Sequence, residues 1–170
     1  MDFLILNEGG IPLLSVLIFL PLVGALIALF LPGESTSRLW ALLVTSINAV
    51  LSFSLYSGFD ASTYRYQFGE HIPWIPAWDI NYTLGVDGIS ILLILMTTMI
   101  MPFCVLASWR YIEKRVKPFM ICLLVMETSM IGVFAALDFV LFYILWEAML
   151  IPMYLLIAIW GGPRKVYASI

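Results

Sequence analysis

The chain has 170 residues, of which 63% are hydrophobic and only 11% charged, with a formal net charge of −3. A soluble globular domain carries roughly 25% charged residues, so a soluble enzyme is excluded and the chain belongs in a lipid bilayer. There is no basic run, which excludes nucleic acid as a partner.

The N-terminal stretch MDFLILNEGG has acidic residues and no Lys or Arg. A signal peptide needs a basic n-region, so the first apolar run is read as a retained span. A hydrocarbon core of about 30 Å takes about 20 helical residues. Five stretches are long enough, at about 11–31, 38–57, 87–109, 117–137 and 139–160, and none has an internal Lys or Arg. In lipid the backbone must satisfy its own hydrogen bonds, so these are helices. The expected fold class is an all-α integral membrane protein, with about five transmembrane helices in one membrane domain over residues 1–170.

The connections differ in kind. PGEST (32–36) reads as a short turn, and the link at Asp138 is so tight that helices four and five must form an antiparallel hairpin. The long connection, 58–86, alternates Tyr64, Tyr66 and Phe68 with polar residues, which is a strand signal. It reads as an ordered extramembrane loop that could fold as a β-hairpin, with Trp74 and Trp78 as interfacial anchors. Trp40, Trp109, Tyr111 and Trp160 at span ends read the same way. Five alternating helices put seven of the eight basic residues on one side: Arg38, Arg110, Lys114, Arg115, Lys117, Arg164 and Lys165. Only Arg65 falls on the other. The positive-inside rule then places the seven in the cytoplasm or matrix and the N-terminus outside.

Two acidic residues remain inside spans. Glu127 precedes Asp138 by eleven residues and Glu147 follows it by nine, so at about 1.5 Å per residue both sit about 14–16 Å from that link, near the bilayer midplane. A carboxylate there costs roughly 2.5–3.5 kcal/mol on insertion scales. It must face protein or a water-filled cavity, or keep its proton. A buried acid able to take up and release a proton is what a proton relay needs; the alternative is a protonated Glu that donates a hydrogen bond between helices. At helical spacing from Glu147 lie Tyr143 and Tyr154, whose hydroxyls could orient a carboxylate or a water. Pro152 removes the amide that would bond the Ala148 carbonyl. Glu127 has the drier setting of Leu123, Leu124, Met130 and Ile131, with Thr128 and Ser129 pointing elsewhere. No cation lies inside any span, so an ionised Glu147 needs its cationic partner from a helix outside this chain.

Other signals are weaker. Asp87 in GVDGIS and Asp138 read as caps of helices three and five. His71 is a lone loop histidine, and Cys104 and Cys122 are small buried hydrophobes. No CxxC or HExxH spacing points to a metal.

The run MIGVFAALDFVLFYILWEAMLIPMYLLIAIWGGPRKVYA, with HIPWIP, the stretch around GVDGIS and the ASW before helix four, resembles the chain M (chain 4) family. These are membrane-arm subunits of proton-pumping NADH:quinone oxidoreductase, respiratory complex I. The likeness covers essentially the whole chain, and its most specific piece is LWEAMLIPMYLLIAIWGG. The resemblance implies an antiporter-like subunit that carries a proton channel. Glu147 matches the family's central proton-handling glutamate of helix five, which couples to a lysine on a later, broken helix. Glu127 matches an acid in a segment like VMETSMIGVF and takes a secondary transfer or tuning role. The resemblance also implies no cofactor in this chain, with flavin and iron–sulfur clusters in partner subunits and quinone bound elsewhere. The implied partners are the lipid bilayer, the other membrane-arm subunits and further C-terminal helices of the same subunit. The implied location is the bacterial inner membrane or the mitochondrial inner membrane.

Family members are far longer, so this stretch is expected to be the N-terminal third of such a subunit, or a piece of a split or truncated one, unable to complete a channel alone. Two other readings share some of these features. A subunit of a multisubunit sodium/proton antiporter or a membrane-bound hydrogenase would also carry the helix-five glutamate, but the HIPWIP loop and the GVDGIS helix start favour complex I. A purely structural scaffold predicts that Glu147→Gln leaves ion transport intact.

Overall fold

The computed structural model describes residues 4–6 and 11–162. Two of the basic residues counted above, Arg164 and Lys165, lie outside the described residues. A short strand, β1 (Leu4–Leu6), leads into helices α1 (Leu13–Phe30) and α2 (Glu34–Ser57). Strands β2 (Tyr66–Ile75) and β3 (Ile80–Val86) follow, joined through a single 3-10 turn at Pro76–Trp78. Helices α3 (Gly88–Tyr111), α4 (Val116–Ala135) and α5 (Phe139–Trp160) come next. All five helices are long and apolar enough to cross a membrane, and the protein is a helical membrane protein.

The helix limits differ from the sequence expectation by a few residues, with one informative case. PGEST is not a turn throughout: α2 already starts at Glu34, and the Ser37 hydroxyl donates to the Gly33 carbonyl at 3.0 Å. Gly33 supplies the left-handed backbone (φ 82°) that reverses the chain just ahead of it. Pro21, Pro102 and Pro152 sit inside α1, α3 and α5, and each helix runs unbroken through its proline.

The long connection is a β-hairpin. β2 and β3 pair antiparallel, with His71 opposite Thr83 and Ile72 opposite Tyr82. Trp74 and Trp78 at its tip are exposed. One element was not expected: β1 adds to β2 in parallel and makes a three-stranded sheet. Gly69 permits this docking, because a Cβ there would meet the Leu4 side chain at 2.6 Å and the Ile5 carbonyl at 2.7 Å.

The sheet also organises the helix ends. By alternation, α1, α3 and α5 all begin at the hairpin end, and an unpaired helix N-terminus favours a carboxylate. Each has one. Glu70 of β2 accepts from the Leu14 and Ser15 amides at 2.9 and 3.2 Å, and from the Ser15 hydroxyl, which in turn meets the Tyr82 hydroxyl at 2.7 Å. Asp87 caps α3 in a reciprocal box with Ser90: the Ser90 amide donates to Asp87 at 2.7 Å and the Asp87 amide to the Ser90 hydroxyl at 2.8 Å. Asp138 caps α5. At the opposite end, Arg38 donates to the Ile112 carbonyl at 2.7 Å and stands over the Trp109 ring. The Trp160 indole donates to the Lys114 carbonyl at 2.9 Å.

Helix α4 is the centre of the bundle. It packs against each of the other four helices, whereas α5 packs against α4 and β3. The interior is layered. One apolar cluster near the hairpin includes Leu17, Leu55, Leu84, Ile94 and Ile131; a second towards the basic end includes Val44, Met101, Met120 and Leu124. Between them α2, α3 and α4 each bury polar side chains: Asn48 and Ser52, Thr97 and Thr98, Glu127 and Thr128.

Candidate functional site

The two mid-span acids lie on different surfaces. Glu127 projects into the polar layer and is fully buried. Its carboxyl Oε1 accepts from Asn48 Nδ2 of α2 at 2.9 Å. One turn along α2, the Ser52 and Thr98 hydroxyls meet at 2.8 Å. The dry surroundings expected for Glu127 therefore need one correction, because a buried amide faces it. Ser129 returns its hydroxyl to the Val125 carbonyl at 3.0 Å and takes no part. The Thr128 hydroxyl has no hydrogen-bond partner among the described residues.

Glu147 faces the other way. It lines an open groove on α5 with Tyr143, Ile144, Ala148, Ile151 and Tyr154. These residues follow the helical spacing, so one stripe of α5 carries them all. Tyr143 lies one turn before Glu147 and lines the same groove. Both tyrosines are about half exposed, at 53% and 50%. Tyr154 shares the groove from two turns further on. Among the described residues, no cationic side chain lines it. The face is open because α5 buries only Leu141 and Pro152, whereas α4 buries eleven of its residues.

The other sequence candidates have plain structural partners. His71 Nδ1 meets the Thr83 hydroxyl at 2.8 Å across the hairpin. Asp87 and Asp138 are caps, as their positions suggested. Cys104 and Cys122 are both free thiols. Among the described residues, no group of three or more His, Cys, Asp or Glu side chains could hold a metal ion.

The residue that sequence reading missed is Asn48. A single amide in an apolar span carries no charge and does not stand out. The signal was there in the pattern: Ser37, Ala41, Thr45, Asn48 and Ser52 recur at three- and four-residue steps and are all buried. That is a small, polar stripe pointing inwards rather than to lipid.

Residues 16–133 match the family described as NADH-ubiquinone oxidoreductase chain 4, amino terminus. The chain belongs to this family. Glu127 lies inside the matched segment, and Glu147 lies beyond its end. Similar relatives include NADH-quinone oxidoreductase subunit M of Rhodobacter capsulatus, 45% identical over 92% of this chain and 31% of that protein. NADH-ubiquinone oxidoreductase chain 4 of Arabidopsis thaliana is 40% identical over 92% of this chain and 32% of that protein. Among solved structures, a chain of respiratory complex I from Thermus thermophilus superposes with a TM-score of 0.76 at 26% identity, covering 92% of this chain and 31% of that one. The chain thus spans about a third of the length of the chain 4 relatives it matches.

Proposed function

We propose that this chain is the N-terminal part of a proton-translocating membrane subunit of an NADH:quinone oxidoreductase, with Glu147 as its central proton-handling residue. The observation that carries the reading is a mid-span carboxylate on an uncovered helix face. Burying a charge against lipid is costly, so a face like that of α5 calls for further protein or water. The family supplies a reason: relatives continue well beyond the region this chain matches. Later helices of the same subunit then cover the groove and bring a lysine to Glu147.

In this scheme quinone reduction elsewhere drives a charge shift along the membrane arm. A lysine close to Glu147 stabilises the carboxylate, and its withdrawal lets the carboxyl take a proton. Tyr143 and Tyr154 orient the carboxyl or a water beside it. Glu127 plays a secondary part, by transfer or by tuning the local field. Flavin and iron–sulfur chemistry belongs to partner subunits, and the other membrane-arm subunits and the lipid bilayer surround this chain. The basic end, with Arg38, Arg110, Lys114, Arg115 and Lys117, faces the cytoplasm or matrix, and the hairpin faces outwards. The membrane is the bacterial inner membrane, or the inner mitochondrial membrane for an organellar protein.

The test is NADH-driven proton uptake into inverted vesicles, with Glu147→Gln in the complete subunit and assembly checked on a native gel. Loss of pumping in an assembled complex supports the reading. Normal pumping overturns it.

A further inference from the structure

The polar layer holds a pair of side chains whose unmet hydrogen-bonding groups complement each other. Asn48 and Glu127 are both fully buried, and one edge of the pair is closed by the 2.9 Å hydrogen bond from Asn48 Nδ2 to Glu127 Oε1. The remaining oxygen of each side chain, Asn48 Oδ1 and Glu127 Oε2, is buried without a partner among the described residues. Both are acceptors if Glu127 is ionised. A buried group left unpaired is costly, and more so when it is charged. Among the described residues, no Lys, Arg or His is buried in this layer. The thiols of Cys104 and Cys122 on α3 and α4 cannot supply a positive charge.

A single proton resolves both deficits. Placed on Glu127 Oε2, it turns an unmet acceptor into a donor, and the amide carbonyl of Asn48 is the unmet acceptor on the same partner. The carboxylic acid and the amide are then joined edge to edge by two hydrogen bonds. We propose that Asn48 and Glu127 form a proton-binding acid–amide pair that joins α2 to α4 at mid-depth, with the proton on Glu127 Oε2 and donated to Asn48 Oδ1. Asn48 is then a positioning residue for Glu127: it fixes which carboxyl oxygen holds the proton. The inference stands independently of the role given to Glu147.

The test is infrared spectroscopy on the full 170-residue chain in lipid, reading the C=O stretch of protonated carboxyl groups, together with thermal unfolding of the same samples. The wild type should show a protonated-carboxyl band that E127Q removes. N48L should keep that band but move it to higher wavenumber, as an acid that has lost its amide partner. The deciding variant is the swap N48D/E127Q. It preserves both side-chain lengths and exchanges acid for amide, so the band should return and the melting temperature should exceed the sum of the single effects. Identical spectra for wild type and E127Q would mean that Glu127 holds no proton. A band that N48L leaves in place would remove Asn48 as its partner, and a swap no better than additive would dissolve the pair. If N48L does not fold, the E127Q difference and the swap still decide.

Discussion

Asp138 serves two elements with one carboxylate. Its Oδ1 accepts from the Val140 and Leu141 amides at 2.9 and 3.1 Å, capping α5, while its Oδ2 accepts from the Asn81 amide of β3 at 3.0 Å. The hairpin is thereby fastened to the helix that carries Glu147. Partial burial alone would push the Asp138 carboxyl up, but the three amides from Asn81, Leu141 and Val140 outweigh it and hold the group below the usual aspartate value. The charged form is thus favoured by folding, so this stability is present above the unfolded aspartate pKa of about 3.9 and lost as pH falls through the lower folded value. Thermal melts of the chain in detergent should show a decline in that acid window that Asp138→Asn lacks. At neutral pH, Asp138→Ala should cost about 1–2 kcal/mol, the usual loss for a helix cap.

Glu70 does for α1 what Asp138 does for α5, but from a strand 55 residues away. Glu70→Ala leaves the Leu14 and Ser15 amides without their acceptor, at about 1–3 kcal/mol. Hydrogen exchange is the suitable measurement. Protection at Leu14 and Ser15 should fall sharply, while the capping amides of α3, Ile89 and Ser90, should keep theirs.

Helices α4 and α5 approach closely at Gly132, where a Cβ would stand 2.8 Å from Leu145 Cδ1 and 3.1 Å from Cδ2. The neighbour is a flexible side-chain end, so alanine is tolerable and a branched residue is not. Gly132→Val should destabilise by about 1–3 kcal/mol, the range of overpacking. Adding Leu145→Ala should recover part of that loss in unfolding measurements, because the two sites share the contact.

Making Glu147 neutral should affect pumping and leave folding intact. Glu147 is exposed in the groove, so Glu147→Gln should leave the melting of the chain within about 0.5 kcal/mol, as for a surface change. In the assembled enzyme the same variant should abolish proton pumping. Tyr143→Phe should lower pumping only partly, since it removes an orienting hydroxyl and keeps the carboxyl. A Tyr143→Phe enzyme that pumps at the wild-type rate would remove that residue from the site.

Apolar length decides the helices in a bilayer, and for that reason they were legible in the chain. α5 spans Phe139–Trp160, the limits its pattern suggested, because Asp138 begins it and a glycine follows it. The start of α2 was less clear: Glu34, Ser35 and Thr36 are turn-like in composition, yet they form its first turn. β1 was invisible because three residues acquire strand character only from a partner some sixty positions downstream. The midplane acids stood out by cost alone. Which of them turns inwards did not, since the tyrosines near Glu147 and the apolar neighbours of Glu127 say nothing of what packs against each helix. Asn48 was hidden for the opposite reason: it is polar enough to matter inside the bundle but too cheap in lipid to attract notice.

The central position of α4 also sets an order of assembly. A chain is made from its N-terminus, so α1, α2 and α3 enter the membrane before the helix that contacts all of them exists. The α1 cap waits for Glu70, and the α2 amide at Asn48 waits for an acid 79 residues later. Until residues 116–135 arrive, Asn48 in the middle of α2 lacks the acid that it bonds in the finished bundle. The fourth helix is therefore a closing step, at which a loose set of spans becomes a fixed bundle. Changes that slow or misplace α4 should appear as failed insertion and rapid degradation during synthesis rather than as a weakened finished protein.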